Sequence, residues 1–259
     1  MVHSQTKYLT DQPFKQQTRR PNALVVEQPQ LAPVASEPTQ KSPKEGLVKL
    51  SAILISIGFL ALFIDVPLAL ALKDNPLPKE IGPILRFSEI GGHGTGAAML
   101  LIGALAASKI NMHLQRHRSI AFKLIAGTYL GGLIVDLFKL IIPRIRPRAA
   151  DLGSGSGLLD TFAFWIHDKS HFNPTDLMSF PSGHAAVAAG LAASLSWFFP
   201  NGKSVFIGLA ILASLQRVAS SAHYLSDILI GAALGLVGAW LCAPHTYTKG
   251  LHNQELNGN

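Results

Sequence analysis

A chain of 259 residues in which 48% are hydrophobic and only 14% charged is too apolar for an ordinary soluble domain. Its net charge of +7 would suit a nucleic-acid binder, but the Lys and Arg residues lie in tails, short connections and three later motifs rather than along one stripe. Membrane topology accounts for them better than nucleic acid, and a lone Cys242 excludes an intrachain disulfide framework and a cysteine metal cluster.

The stretch through about Glu45 carries Pro13, Pro21, Pro29, Pro33, Pro38 and Pro43 among Gln, Ser and Lys, with no long apolar run. Such a composition cannot bury enough surface to fold alone, so residues 1–46 read as a disordered cytoplasmic tail. The first apolar run starts near Leu50, too late for a cleaved secretory signal, and is expected to stay as an anchor.

Six segments are long enough, at roughly 20 residues, to cross a hydrocarbon layer of ~30 Å. They lie near 49–72, 90–108, 120–142, 183–200, 204–221 and 225–243. The first two and the last are clear from hydropathy; the third holds Lys123, Asp136 and Lys139 and the fifth holds Arg217. The expected fold is all-α: a polytopic membrane bundle of six transmembrane helices over 47–244, with a cytoplasmic C-terminal tail at 245–259. Gly92 and Gly96, Gly127 and Gly131, and Gly231 and Gly235 are spaced for close helix packing in lipid.

The connection from Lys109 to Lys123 includes Arg116 and Arg118 and no acid, while Lys41, Lys44 and Lys49 precede the first span. The positive-inside rule makes both regions cytoplasmic. Counting spans then puts the 143–182 loop and the turn between spans five and six on the non-cytoplasmic face.

Three stretches of polar residues reach that face. In KLIIPRIRPR, Lys139 and Arg146 are seven residues apart, nearly on one helical face if the helix persists past Pro143. Asp136 can neutralise Lys139 inside the membrane, and Arg144 and Arg148 read as long cationic chains snorkelling to the interface. In SFPSGHAAVAAG, the plain reading is a helix start capped at Pro181, Ser182 and Gly183, with His184 merely interfacial. QRVASSAHYLSD adds Arg217, His223 and Asp227.

Convergence of all three changes the reading of His184. Three cations, a Ser hydroxyl and the amides of a helix start suit a phosphate dianion, and two histidines supply a nucleophile or a proton carrier. His223 and Asp227, four apart, can meet on the sixth helix so that the carboxylate fixes the free ring nitrogen. His93, His113, His117, His167, His171, His245 and His252 lack such company and read as surface or interfacial.

The set Lys139-x6-Arg146-Pro147, Pro181-Ser182-Gly183-His184 and Arg217-x5-His223-x3-Asp227 resembles the three-part signature of the type 2 phosphatidic acid phosphatase superfamily, across roughly Leu50 to Ala243. The resemblance implies a phosphatase that needs no metal or other cofactor and works through a phosphohistidine. It implies His223 as nucleophile, Asp227 as its orienting carboxylate and His184 as proton donor to the leaving oxygen. Lys139, Arg146, Ser182, the Gly183 amide and Arg217 would hold the phosphoryl oxygens. Gln216 departs from the family, which commonly has Ser before the arginine, and puts a supporting hydrogen bond in question.

In the 149–180 connection, the flexible Gly153–Gly157 stretch precedes Phe162, Phe164 and Trp165, which suit a headgroup layer. A membrane lipid phosphate or pyrophosphate, such as phosphatidate, phosphatidylglycerol phosphate or a polyprenyl pyrophosphate, is the implied substrate. The competing readings are a lipid phosphotransferase with the same intermediate, a vanadate-dependent haloperoxidase, and a non-catalytic lipid-binding or transport protein.

Overall fold

The computed structural model describes residues 43–76, 78, 80–108, 115–153 and 155–243. The expected tails, 1–46 except for its last residues and 245–259, lie outside them, as does most of the 109–117 connection. Among the described residues there are eight α-helices: α1 (Pro43–Ala61), α2 (Asp65–Asp74), α3 (Ile81–Ser88), α4 (Gly94–Ala107), α5 (Gln115–Ile141), α6 (Gly183–Phe198), α7 (Lys203–Ala219) and α8 (Leu225–Cys242). No strand occurs among these residues, only isolated bridges at Arg144.

Each expected span coincides with a helix or a bent helix pair, but two of the three ranked clear by hydropathy are the broken ones. Between α1 and α2 the axis turns by 70°, and between the α3 segment and α4 by 69°. Pro67 explains the first break, because its ring conflicts with the carbonyl four residues earlier, that of Phe63. At the second, Gly91, Gly92 and Gly94 weaken the helix together. Helix α3, ahead of this break, was not foreseen. By contrast, α5 runs unbroken through Lys123, Asp136 and Lys139. Among the described residues three helices are long and apolar enough to cross a membrane, or up to five if each bent pair counts as one span. Helix α6, at 16 residues, is shorter than a full span.

At the centre, α8 packs against α1, α5 and α6, and α7 leans on α6 and α3. Small residues make these approaches possible: a Cβ on Gly131 of α5 would lie 2.5 Å from the Gly235 Cα of α8, and one on Gly231 would overlap the Ser182 backbone. The Gly127/Gly131 and Gly231/Gly235 pairs are thus packing positions; in the third pair Gly92 approaches His184 of α6, while the atoms nearest a Cβ on Gly96 belong to Ile90 in its own preceding turn. Leu124, Val187, Leu191 and Leu195 fill the space between α4, α5 and α6 with Ala97 and Leu101. Around the outside, Leu60, Phe63, Leu133, Leu140, Ile141 and Val205 are exposed, an apolar rim suited to acyl chains.

Candidate active site

Helix α5 stops at Ile141 because Pro143 has no N–H to continue the ladder and disfavours helical geometry at Ile142. Lys139 and Arg146 therefore do not share a helical face. Instead residues 143–146 run extended between two other loop segments, with Arg144 N donating to Leu177 O at 2.9 Å and Ile145 N to Thr161 O at 2.8 Å. Ala163 N returns a bond to Pro143 O and Ser179 N one to Arg144 O, each at 3.0 Å. This lacing fixes the loop that the sequence left open.

Arg144 does not snorkel. Its side chain is fully buried, held by Asp65 of α2 at 2.8 Å and Asp227 of α8 at 2.5 Å. It also donates to Ser226 Oγ at 2.8 Å and Thr161 Oγ1 at 3.2 Å, between the rings of Tyr224 and Phe162. Two carboxylates outweigh the pull of the interface, because a buried guanidinium is tolerated only when paired and hydrogen-bonded. Phe162, read as a headgroup residue, covers this arginine; Phe164 and Trp165 are exposed. Arg148 forms a half-exposed, forked ion pair with Asp176 at 2.8 and 3.1 Å, which holds the Asp176 carboxyl below its usual range.

His223 lies in the turn before α8 and is 2% exposed. Its Nδ1 is 2.7 Å from the Ser179 carbonyl oxygen. A carbonyl can only accept, so Nδ1 carries the hydrogen and Nε2 keeps its lone pair. Asp227 was expected to fix this tautomer, but its Oδ2 is 3.6 Å from Nδ1. The carboxylate instead accepts from Ser179 Oγ at 2.6 Å, Tyr224 N at 2.9 Å and Arg144. Asp227 thus acts on His223 through Ser179 and through its charge. Burial pushes the His223 imidazole below its ordinary value, which favours the neutral ring.

The PSGH turn meets α8 directly, with Ser182 N donating to Asp227 O at 3.0 Å. Ser182 Oγ caps α6 through Ala185 N at 3.4 Å, so the plain capping reading holds for Ser182. Lys139 lies beside Gly183, where a Cβ would be 3.3 Å from Nζ, and pairs with Asp136 at 3.4 Å as expected. His184 is within electrostatic reach of Lys139, Arg217, His223 and His93. His93, read as a lone surface residue, is exposed but sets its ring edge-on to His184 at 5.6 Å.

Arg217, at the end of α7, pairs with Glu89 and donates from Nη1 to Gln216 Oε1 at 3.2 Å. Gln216 thus supplies a bond to the arginine itself. Arg217 Nε is buried with no hydrogen-bond partner, a donor ready for an anion. Arg146 spends Nε on Thr175 O at 2.8 Å and Nη1 on Ala222 O at 3.4 Å, which docks the loop against the His223 turn. Burial and the fields of Arg148 and Arg217 push its guanidinium below its ordinary value, a crowding of cations that an anion would relieve.

All the residues singled out in the three motifs come to one end of the bundle. Asp65, Glu89, Arg144 and Ser179 join them and were missed. An acid inside an apolar run is the signal that marked Asp65; Glu89, in the break before α4, carries no such mark.

The profile of the PAP2 superfamily matches residues 120–250. The lipid A 1-phosphatase of Rhizobium johnstonii is 29% identical over 205 residues, 74% of this chain and 75% of that protein. That of Rhizobium etli is 27% identical over 206 residues, 73% of this chain and 78% of that protein. A solved transmembrane PAP2 type phosphatidylglycerolphosphate phosphatase from Bacillus subtilis superposes with a TM-score of 0.49 at 18% identity, over 77% of this chain and 94% of that one. The chain belongs to the PAP2 superfamily, as an integral membrane phosphatase.

Proposed function

We propose that the protein hydrolyses a lipid phosphate or pyrophosphate through a phosphohistidine at His223, without a metal ion. The observation that carries this reading is the commitment of His223 Nδ1–H to the Ser179 carbonyl, which leaves the Nε2 lone pair as nucleophile in a cluster of cations. Nε2 attacks phosphorus, the phosphorus–oxygen bond to the lipid breaks, and His184 gives its proton to the departing oxygen. Water then attacks the phosphohistidine, His184 takes its proton, and inorganic phosphate leaves with Nε2 restored. Lys139, Arg146, Ser182, the Gly183 amide and Arg217 hold the phosphoryl oxygens, while Asp227 steadies the charged imidazole. A transferring phosphoryl group needs such charge stabilisation and in-line placement above all.

Three cations already offset a phosphate dianion, so turnover is expected to persist in EDTA and to be inhibited by vanadate. The relatives' names put lipid A 1-phosphate first among substrates. Purified protein in detergent should be offered lipid A 1-phosphate, phosphatidic acid, phosphatidylglycerol phosphate and undecaprenyl pyrophosphate, each with EDTA. Release of inorganic phosphate from at least one supports the reading; activity that vanishes in EDTA and returns with magnesium contradicts it. Transfer of phosphate only to an added lipid acceptor would favour the phosphotransferase.

The same proposal includes six spans over 47–244, with each bent pair and α6 counted as one, a cytoplasmic N-terminus and C-terminus, and the site on the opposite face. Gly155→Cys in a Cys242→Ser background is expected to react with an impermeant thiol reagent on intact cells. Labelling only after permeabilisation would invert the orientation.

A further inference from the structure

Asp65 and Arg144 play no part in the mechanism above, yet they are among the most deeply buried side chains, and Asp65 lies outside the region that matches the family profile. Asp65 accepts from Arg144 Nη2 at 2.8 Å, from Ser226 N at 3.0 Å and from Ser226 Oγ. One acid would suffice to pair one arginine. The buried group instead holds two carboxylates, Asp65 and Asp227, to a single guanidinium, an excess of one negative charge beside a neutral histidine.

We infer that Asp65 and Arg144 are positioning residues that set the charge felt by His223: Asp65 balances Arg144, so that the charge of Asp227 stays available to the imidazole when it turns positive on phosphorylation. This rests on His223 being the nucleophile. If Arg144 paired with Asp227 alone, the two charges would cancel and the phosphohistidine would form against the field of Arg146 and Arg217. With Asp65 present, the whole cluster becomes neutral at the step where the ring becomes cationic. The bent helix pair thereby enters the reaction, since α2 delivers Asp65 to the first turn of α8.

The charged and titratable groups around His223 are Arg146 of the loop, Arg217 of α7, His184 of α6 and Asp227 of α8. Arg144, Asp65 and Tyr224 adjoin Asp227, Arg148 adjoins Arg146, Glu89 adjoins Arg217, and Lys139 and His93 adjoin His184. Variants at Asp65 and Arg144 remove none of the groups assigned to phosphate or to the reacting atoms, and opposite, compensating shifts in pH profile distinguish altered charge from lost packing.

The test is the acid limb of kcat/KM for p-nitrophenyl phosphate in D65N, R144Q and the D65N/R144Q double variant. Removing a negative charge disfavours the protonated ring, so D65N is expected to move the limb to lower pH by on the order of one unit, with kcat down roughly tenfold or more. R144Q removes a positive charge and moves the limb up by a similar amount. The double variant keeps the net charge and returns the limb to its wild-type place. A purely structural role predicts the worst behaviour in the double variant and no ordered shift. Unshifted limbs, or shifts of the opposite sign, overturn the inference. Should D65N fail to accumulate in the membrane, R144Q against the double variant carries the same comparison, with equal limbs overturning it. Turnover that survives in H223A overturns the nucleophile reading and this one with it; unshifted limbs in an enzyme that requires His223 overturn the charge balance alone.

Discussion

His223→Ala is expected to abolish phosphate release from every ester offered, a loss of at least about 10⁴-fold, because the covalent route has no second nucleophile. In the proposed mechanism the lone pair on Nε2 is the reacting group, and the alanine variant leaves the cations able to bind phosphate with no group to accept it. Binding of vanadate should therefore outlast turnover in this variant. The wild-type pH profile follows from the same residue. Activity belongs to the neutral ring, so kcat/KM is present above the imidazole's value in the folded protein and falls as pH drops through it. Since burial pushes that value below the ordinary histidine range, the acid limb should lie below about pH 6.5. A limb above that pH, or measurable turnover in folded His223→Ala, would remove His223 from the role assigned to it.

The second large effect separates the two histidines by leaving group. In the proposed mechanism His184→Ala removes the proton given to the departing oxygen, worth roughly 10²–10⁴-fold for a lipid alcohol. A p-nitrophenolate leaves as a stable anion without that proton, so the penalty should shrink to a few-fold on the aryl ester. Comparing the variant on p-nitrophenyl phosphate and phosphatidic acid, after confirming that it folds in the membrane, gives the ratio directly. Equal proportional losses would mean that His184 only binds phosphate or shapes the start of α6. Glu89 supports the proton role of His184, with its Oε1 3.9 Å from the imidazole Nε2.

The motif residues were legible because each sits beside a local cue: a proline or glycine that ends a helix, a cation too deep in an apolar run, an imidazole at a helix start. Their convergence was legible because a span count carries all three to one face. What the linear pattern hides is pairing at long range. Arg144 differs from Arg148 only in what meets it after folding, and its partners Asp65 and Asp227 are 79 and 83 residues away. Snorkelling was a reasonable reading of a cation near the interface, and it failed because two buried carboxylates compete with water for the guanidinium. The orienting contact of His223 was hidden for a related reason. The spacing of His223 and Asp227 places them close, but the acceptor for Nδ1–H is a backbone carbonyl at Ser179, whose position depends on the lacing of the 143–179 loop. Hydropathy likewise found the apolar segments and missed the breaks at Pro67 and at Gly91–Gly94, because averaging over a window erases the residue that bends the axis.

The most direct test of the account is to trap the covalent intermediate. Enzyme mixed with phosphate-labelled lipid substrate in EDTA should be quenched in alkali during steady turnover, digested, and the label located. A phosphohistidine survives alkali and is lost in acid, so the account predicts alkali-stable, acid-labile label on the peptide containing His223, absent from His223→Ala. Turnover with no trapped label, or label that persists in His223→Ala, would contradict it.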